Sequence, residues 1–185
     1  AALRASTAHG AASGYKKAEQ ALYNTNTVCP LFIENGYFVY ILDTDVCASA
    51  QLVKKYGEER CAALNLDVTD CAAIQRYCSS LESDFSLNHI ITLAGRALSE
   101  EWTSFQDQSL EVIERSIGLN LLGHINIIHE FLPFLKRSEG DRSVLMISSI
   151  NAMENFGLPT YSAAKSGLYG FMNGVLNEFG KDGIR

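Results

Sequence analysis

Tyr161 and Lys165 stand four residues apart in Tyr161-Ser162-Ala163-Ala164-Lys165, so on a helix the phenol and the ammonium share one face. A cation that close favours phenolate and lowers a tyrosine pKa, which makes Tyr161 a usable proton donor and acceptor near neutral pH. Twelve residues before the tyrosine, Ser149 closes the run Ile147-Ser148-Ser149. It follows an apolar, strand-like stretch, where its hydroxyl can bind a substrate oxygen; Ser148 is the fallback if the loop is arranged differently. A Tyr-x-x-x-Lys pair alone is ordinarily an exposed helix face. A strand ending in two serines, a loop and then Tyr-Ser-Ala-Ala-Lys-Ser-Gly is far more specific, and it fits acid–base chemistry at a substrate oxygen.

A second group lies towards the N-terminus. In His9-Gly10-Ala11-Ala12-Ser13-Gly14 the small residues suit a strand-to-helix turn whose backbone N–H groups approach a pyrophosphate at a helix N-terminus. Such turns are common, and taken alone an ordinary loop is the better reading of this one. Tyr37–Leu42 is a strand candidate that runs into Asp43. A carboxylate at the end of a second strand accepts hydrogen bonds from adenosine ribose hydroxyls and repels a 2′-phosphate, which predicts NAD over NADP. Asp43 lies 33 residues after Gly10, against roughly 20 in the usual arrangement; an insertion at Leu22–Pro30 accounts for the excess. Helix capping is the competing role for Asp43, and Asp45 can play either part.

These residues need elements to carry them. Strand-like runs at Tyr37–Leu42, Ala62–Leu66, His89–Leu93 and Ser143–Ile147 alternate with helical patterns near 15–23, 46–57, 70–83, 108–137 and 160–180. That alternation predicts an α/β fold, a doubly wound parallel sheet with helices on both faces. In Ser109–Arg137 the apolar residues occupy more than one stripe of the helix, which implies burial on two sides, and Pro133 is expected to bend or end it. Asn24, Thr25, Thr27 and Pro30 predict a loop or a broken helix across Leu22–Pro30. The chain reads as a single dinucleotide-binding domain over 1–185. It stops at Arg185, where another strand is expected, so the C-terminal part of the fold is expected to be missing.

Composition narrows the function. With 185 residues, 47% hydrophobic and 19% charged, and a formal net charge of -6, the chain has no basic cluster, which disfavours a nucleic-acid surface or a polybasic membrane patch. No apolar stretch approaches a bilayer span, and Ala1–Ser6 lacks the apolar block of a secretory signal. Cys29, Cys47, Cys61, Cys71 and Cys78 are scattered, which reads as reduced thiols in a cytoplasmic protein. His9, His89, His124 and His129 form no metal-ligand pattern, and His124 and His129 read as packing or surface residues.

Taken together, the sequence resembles the short-chain dehydrogenase/reductase family from about Gly10 to Arg185. The parts stand in family order: the glycine turn, Ile41-Leu42-Asp43, Leu66-Asp67-Val68-Thr69-Asp70, Ala94-Gly95, Asn120, Ser149 and the Tyr161/Lys165 pair. The resemblance implies a Rossmann-type fold and an NAD(P)-dependent oxidoreductase that interconverts a carbonyl and an alcohol of a small molecule by direct hydride transfer. It implies Gly10, Ser13 and Gly14 at the pyrophosphate, Asp43 at the ribose, Asp67 and Val68 near the adenine, and Ala94-Gly95 beside the cofactor. Tyr161 would be the general acid in reduction and Ser149 would orient the carbonyl. Lys165 would bind the nicotinamide ribose, and Asn120 would hold a water connected to Lys165. A homodimer or homotetramer built on helices 109–137 and 160–180 is likewise implied. On residues alone, Asp67 could instead cap a helix and Asn120 could be a core or interface residue. Lys16 stands where the family has a third glycine, His9 replaces a threonine, and Thr92-Leu93 replace two asparagines. All three departures touch the cofactor half, so the alternative is a non-catalytic relative with a degraded cofactor site.

Overall fold

The β-branched and aromatic runs form the sheet, and their register carries the candidate residues to one edge. The computed structural model describes Ala2, Leu3 and residues 25–185. Strand β2 (Val39–Asp43) pairs in parallel with β3 (Cys61–Asn65), setting Asp43 opposite Asn65. Strand β4 (His89–Thr92) pairs in parallel with β5 (Ser143–Met146), Thr92 opposite Met146. Between them lies the two-residue β1 (Ala2–Leu3), antiparallel to both neighbours, giving the order β3-β2-β1-β4-β5. The chain thus builds outward in one direction through β2 and β3 and in the other through β4 and β5. In open α/β sheets the place where that direction reverses, beyond the carboxyl ends of the strands, is where ligands bind.

Helices cover both faces. On one side α1 (Thr25–Glu34) and α2 (Val46–Tyr56) enclose a core that includes Cys29, Ile33, Val39, Ile41, Leu52 and Ile91. On the other, α3 (Cys71–Ser80), α5 (Gly123–Lys136) and α6 (Pro159–Lys181) pack a larger core around Ile74, Ile90, Ile128, Phe131 and Leu135. This is the doubly wound Rossmann-type fold with both faces covered. Caps fix the helix starts: Asp45 accepts from the N–H of Ala48, Asp70 from Ala73 and Ser109 from Val112, each satisfying a donor that the first turn leaves unpaired.

Two expectations need correction. The stretch read as a loop or broken helix is helical from Thr25 through Pro30 and on to Glu34. Val28, Cys29 and Ile33 are buried there, and burying that face against the sheet outweighs the poor local propensity. Of the two outcomes expected at Pro133, an end to the helix is the one not seen: α5 runs on to Lys136, with Phe134 and Leu135 buried beyond the proline. The long helical pattern is instead interrupted earlier. α4 (Leu110–Ile117) passes into a π-turn over Gly118–Leu122 before α5 begins, and Asn120 sits in that turn. Wide turns of this kind occur frequently at functional sites. The helical pattern near 15–23 and the turn at Gly10, Ser13 and Gly14, with His9 and Lys16, lie outside the described residues.

Candidate active site

Asp43, at the end of β2, and Asp67 and Val68, just beyond β3, line a cleft of about 740 Å³ together with Thr92, Ala94 and Gly95 at the end of β4. Neither aspartate caps a helix. Asp43 accepts from the N–H of Asp45, which is itself the cap of α2, and Asp67 accepts from both the N–H and the hydroxyl of Thr69. The carboxylates are held by short local turns and stay at the mouth of the cleft.

Gly95 joins this cleft to the second group of candidates. Its φ of +150° is one that residues with a side chain rarely adopt, and a Cβ placed there would lie 2.7 Å from Asn120 Oδ1 and 2.8 Å from Lys165 Nζ. Asn120 is fully buried. Its carboxamide oxygen accepts from the N–H of Arg96 at 2.8 Å, and its NH2 donates to the carbonyls of Arg96 (2.9 Å) and Ser116 (3.0 Å). Asn120 is therefore a clamp between the π-turn and the chain just past Gly95. A Gly95→Ala substitution is expected to combine backbone strain with overpacking against two anchored side chains and to cost about 3 kcal/mol. Urea denaturation checks this, and a change of less than about 0.5 kcal/mol would show that the contact is looser than drawn.

Tyr161 and Lys165 sit one turn apart on α6, and both are buried, at 7% and 2% exposure. The Lys165 ammonium donates to the carbonyl of Ile147 at 3.0 Å and lies 3.3 Å from Nε2 of His124. Burial pushes its pKa down to about 8, so it remains mostly cationic at neutral pH. Ser148, the fallback for the substrate hydroxyl, donates to the backbone carbonyl of Lys165 at 2.9 Å and so ties β5 to α6. Ser149 is half-buried at the start of the short turn Ile150–Ala152, where its Oγ accepts weakly from the N–H of Asn151 at 3.3 Å.

Two features were not visible in the sequence. The first is Glu101, a carboxylate at 2% exposure. One oxygen accepts from the N–H of Leu98 at 2.8 Å; the other accepts from the hydroxyl of Ser116 and the N–H of Tyr161, each at 3.0 Å. Leu158 occupies the cap position of α6 in a left-handed conformation (φ 55°) and supplies no side-chain acceptor. Tyr161 is the third residue of that helix, whose N–H an N-cap side chain normally takes. Glu101, 60 residues upstream, performs that task, and its charge suits the positive end of a 23-residue helix. The second is His124, wholly buried, which joins Lys165 to Thr92: Nδ1 lies 2.6 Å from the Thr92 hydroxyl. Neither had a local signal, because each gains its meaning from a partner on a distant element.

Comparison with known proteins now decides the family. A family model described as short chain dehydrogenase matches residues 25–185. The chain belongs to the short-chain dehydrogenase family. An uncharacterized short-chain type dehydrogenase/reductase of Sinorhizobium fredii is 30% identical over 162 residues, covering 84% of this chain and 62% of the relative. The NADPH-dependent 1-acyldihydroxyacetone phosphate reductase of Saccharomyces cerevisiae is 23% identical over 142 residues, covering 76% of this chain and 47% of the yeast protein. The crystal structure of a short-chain dehydrogenase/reductase family oxidoreductase from Burkholderia thailandensis superposes with a TM-score of 0.74 at 23% identity, covering 89% of this chain and 62% of that one; this likeness shows the fold. The chain spans about three fifths of the length of the S. fredii relative. In this member of the short-chain dehydrogenase family, Tyr161 and Lys165 stand one turn apart on α6 and the Thr92 hydroxyl partners His124.

Proposed function

We propose that the protein is an NAD-dependent oxidoreductase that interconverts a carbonyl and an alcohol on a small molecule, with Tyr161 as the general acid in reduction and the general base in oxidation. The observation that carries this reading is the juxtaposition at Gly95. Gly95 lines the cleft edged by Asp43 and Asp67 and packs on its other side against Asn120 and Lys165, and Lys165 is one helical turn from Tyr161. The cleft volume of about 740 Å³ falls within the range of small-molecule and cofactor sites, and the missing Cβ of Gly95 lets Asn120 and Lys165 pack directly against the backbone at its wall. When bound, the nicotinamide cofactor supplies or accepts the hydride.

The chain's own residues do the rest. Asp43 offers a carboxylate to the adenosine ribose and repels a 2′-phosphate, while Asp67 and Val68 border the adenine. Lys165 presents its ammonium to the nicotinamide ribose and favours the phenolate of Tyr161 after proton donation. Ser149 orients the substrate oxygen, and Asn120 fixes the wall next to Gly95. Gly10, Ser13 and Gly14 are assigned to the pyrophosphate. Tyr169, Met172 and Leu176 line the exposed side of α6 at spacings of three and seven residues, which supports assembly into a homodimer or homotetramer. The five free cysteines suit a cytoplasmic location.

The relative from yeast is named NADPH-dependent, so the choice of cofactor here rests on Asp43. Calorimetric titration is expected to give NADH affinity at least about tenfold above that for NADPH, since a like charge at the 2′-phosphate is costly, and Asp43→Ser is expected to erase most of the difference. Equal affinities in the wild type, or a preference unchanged by Asp43→Ser, would remove Asp43 as the selector.

A further inference from the structure

His124 is a buried ionisable group, 1% exposed, to which the proposed chemistry gives no task. It stands on the first turn of α5. Lys165 faces it from α6, and Thr92 and the backbone of Ala94 face it from the end of β4. The hydrogen-bonding inventory of these groups fixes their roles. An ammonium only donates, so the short approach of Lys165 Nζ to Nε2 requires a lone pair on that nitrogen. The remaining ring proton then sits on Nδ1, where the Thr92 hydroxyl oxygen, 2.6 Å away, and the backbone of Ala94 offer acceptors. An imidazolium would set a second cation 3.3 Å from the lysine in a place closed to water. Burial, with the lysine charge adding to it, holds the His124 pKa down at about 3, which agrees with a permanently neutral ring.

We propose that His124, oriented by Thr92, is a positioning residue for Lys165: its Nε2 lone pair and the Ile147 carbonyl together aim the ammonium at the space beside Gly95. The ring supplies direction without charge, so the lysine keeps its positive charge for the tyrosine and the ribose. Thr92 belongs to the same device. Its hydroxyl oxygen can accept from Nδ1, and it thereby favours the tautomer that neutral histidine disfavours in water. The proposal rests on the assignment of Lys165 to the cofactor ribose for its functional arm, but its tautomer arm stands independently.

The test has two readouts on the full-length protein. Long-range 15N–1H correlation spectra should show His124 with a protonated Nδ1 and an unprotonated Nε2 at neutral pH, and the Nε2 resonance should move in Lys165→Met. A protonated Nε2, an imidazolium, or an Nε2 shift indifferent to Lys165→Met overturns the proposal. NADH titration supplies the second readout. His124→Gln, whose carboxamide oxygen can replace the Nε2 acceptor, should stay within about threefold of wild type, whereas His124→Leu should bind about tenfold more weakly, the scale of one charge-assisted hydrogen bond. Equal affinities for the two variants overturn the positioning role. If His124→Leu does not fold, the spectra of wild type and Lys165→Met still decide the matter. If wild type binds no NADH, the dehydrogenase reading fails while the tautomer measurement continues to test the link between His124 and Lys165.

Discussion

Tyr161→Phe should leave NADH affinity within a few-fold of wild type and reduce turnover by about 10³-fold, the middle of the range for loss of a positioned acid or base. The substitution removes one oxygen from a ring that is 7% exposed and keeps its packing, so folding stability should change little. The backbone N–H of Tyr161, held by Glu101, is untouched, and the helix start survives. Lys165→Met should behave differently. It removes the ammonium that donates to the Ile147 carbonyl and approaches His124, so both cofactor affinity and turnover should fall. The contrast separates a group that moves a proton from one that binds and polarises. The check is NADH oxidation with a panel of aldehydes, ketones and keto esters, run with both variants. A Tyr161→Phe enzyme that turns over within tenfold of wild type would remove Tyr161 from the chemistry.

Glu101→Ala should be the most destabilising single change at the site. Three donors lose their acceptor together: the N–H groups of Leu98 and Tyr161 and the hydroxyl of Ser116. A buried donor left unpaired costs about 1–3 kcal/mol, so a total loss of about 4 kcal/mol is expected, a large fraction of the roughly 5–15 kcal/mol available to a domain. Glu101→Gln should cost about half as much: the carboxamide retains one acceptor oxygen but turns an NH2 towards a donor. The consequence for function follows from what Glu101 joins. Ser116 donates to Glu101 through its hydroxyl and accepts from Asn120 through its carbonyl, so the carboxylate ties the Asn120 turn to the start of the Tyr161 helix. In Glu101→Gln, turnover should therefore fall more than NADH affinity. Denaturant unfolding and steady-state kinetics test the pair, and stability within about 0.5 kcal/mol of wild type for both variants would mean that Glu101 is better solvated than its burial implies.

What could be read from the sequence was what depends on near neighbours. Tyr161 and Lys165 share a helix face because four residues make about one turn, and the apolar runs around Ile41, Ile90 and Val144 pair as strands because their side chains suit a buried sheet. Asp43 at the end of its strand was legible for the same reason. The misreadings came from the same local logic. Asn, Thr and Pro between Leu22 and Pro30 argue for a loop, yet Val28, Cys29 and Ile33 have a sheet to cover, and that burial decides the outcome. Pro133 sits in a helix held on both sides by buried aromatic and aliphatic residues. Glu101 and His124 carried no signal: a glutamate among Ser99-Glu100-Glu101 looks like a solvated turn, and a histidine in an apolar helix looks like packing. Only the fold brings Tyr161 to the first and Lys165 to the second.

The measurement that bears most directly on the central claim is a calorimetric titration of the full-length protein with NADH, beside Lys165→Met. Saturable binding at one site per chain, in the micromolar range and weakened at least about tenfold by the loss of the charged hydrogen-bond donor, is the predicted result. Absence of saturable binding of either NADH or NADPH would contradict the account, and the Tyr161–Lys165 pair would then need an explanation other than hydride-transfer chemistry.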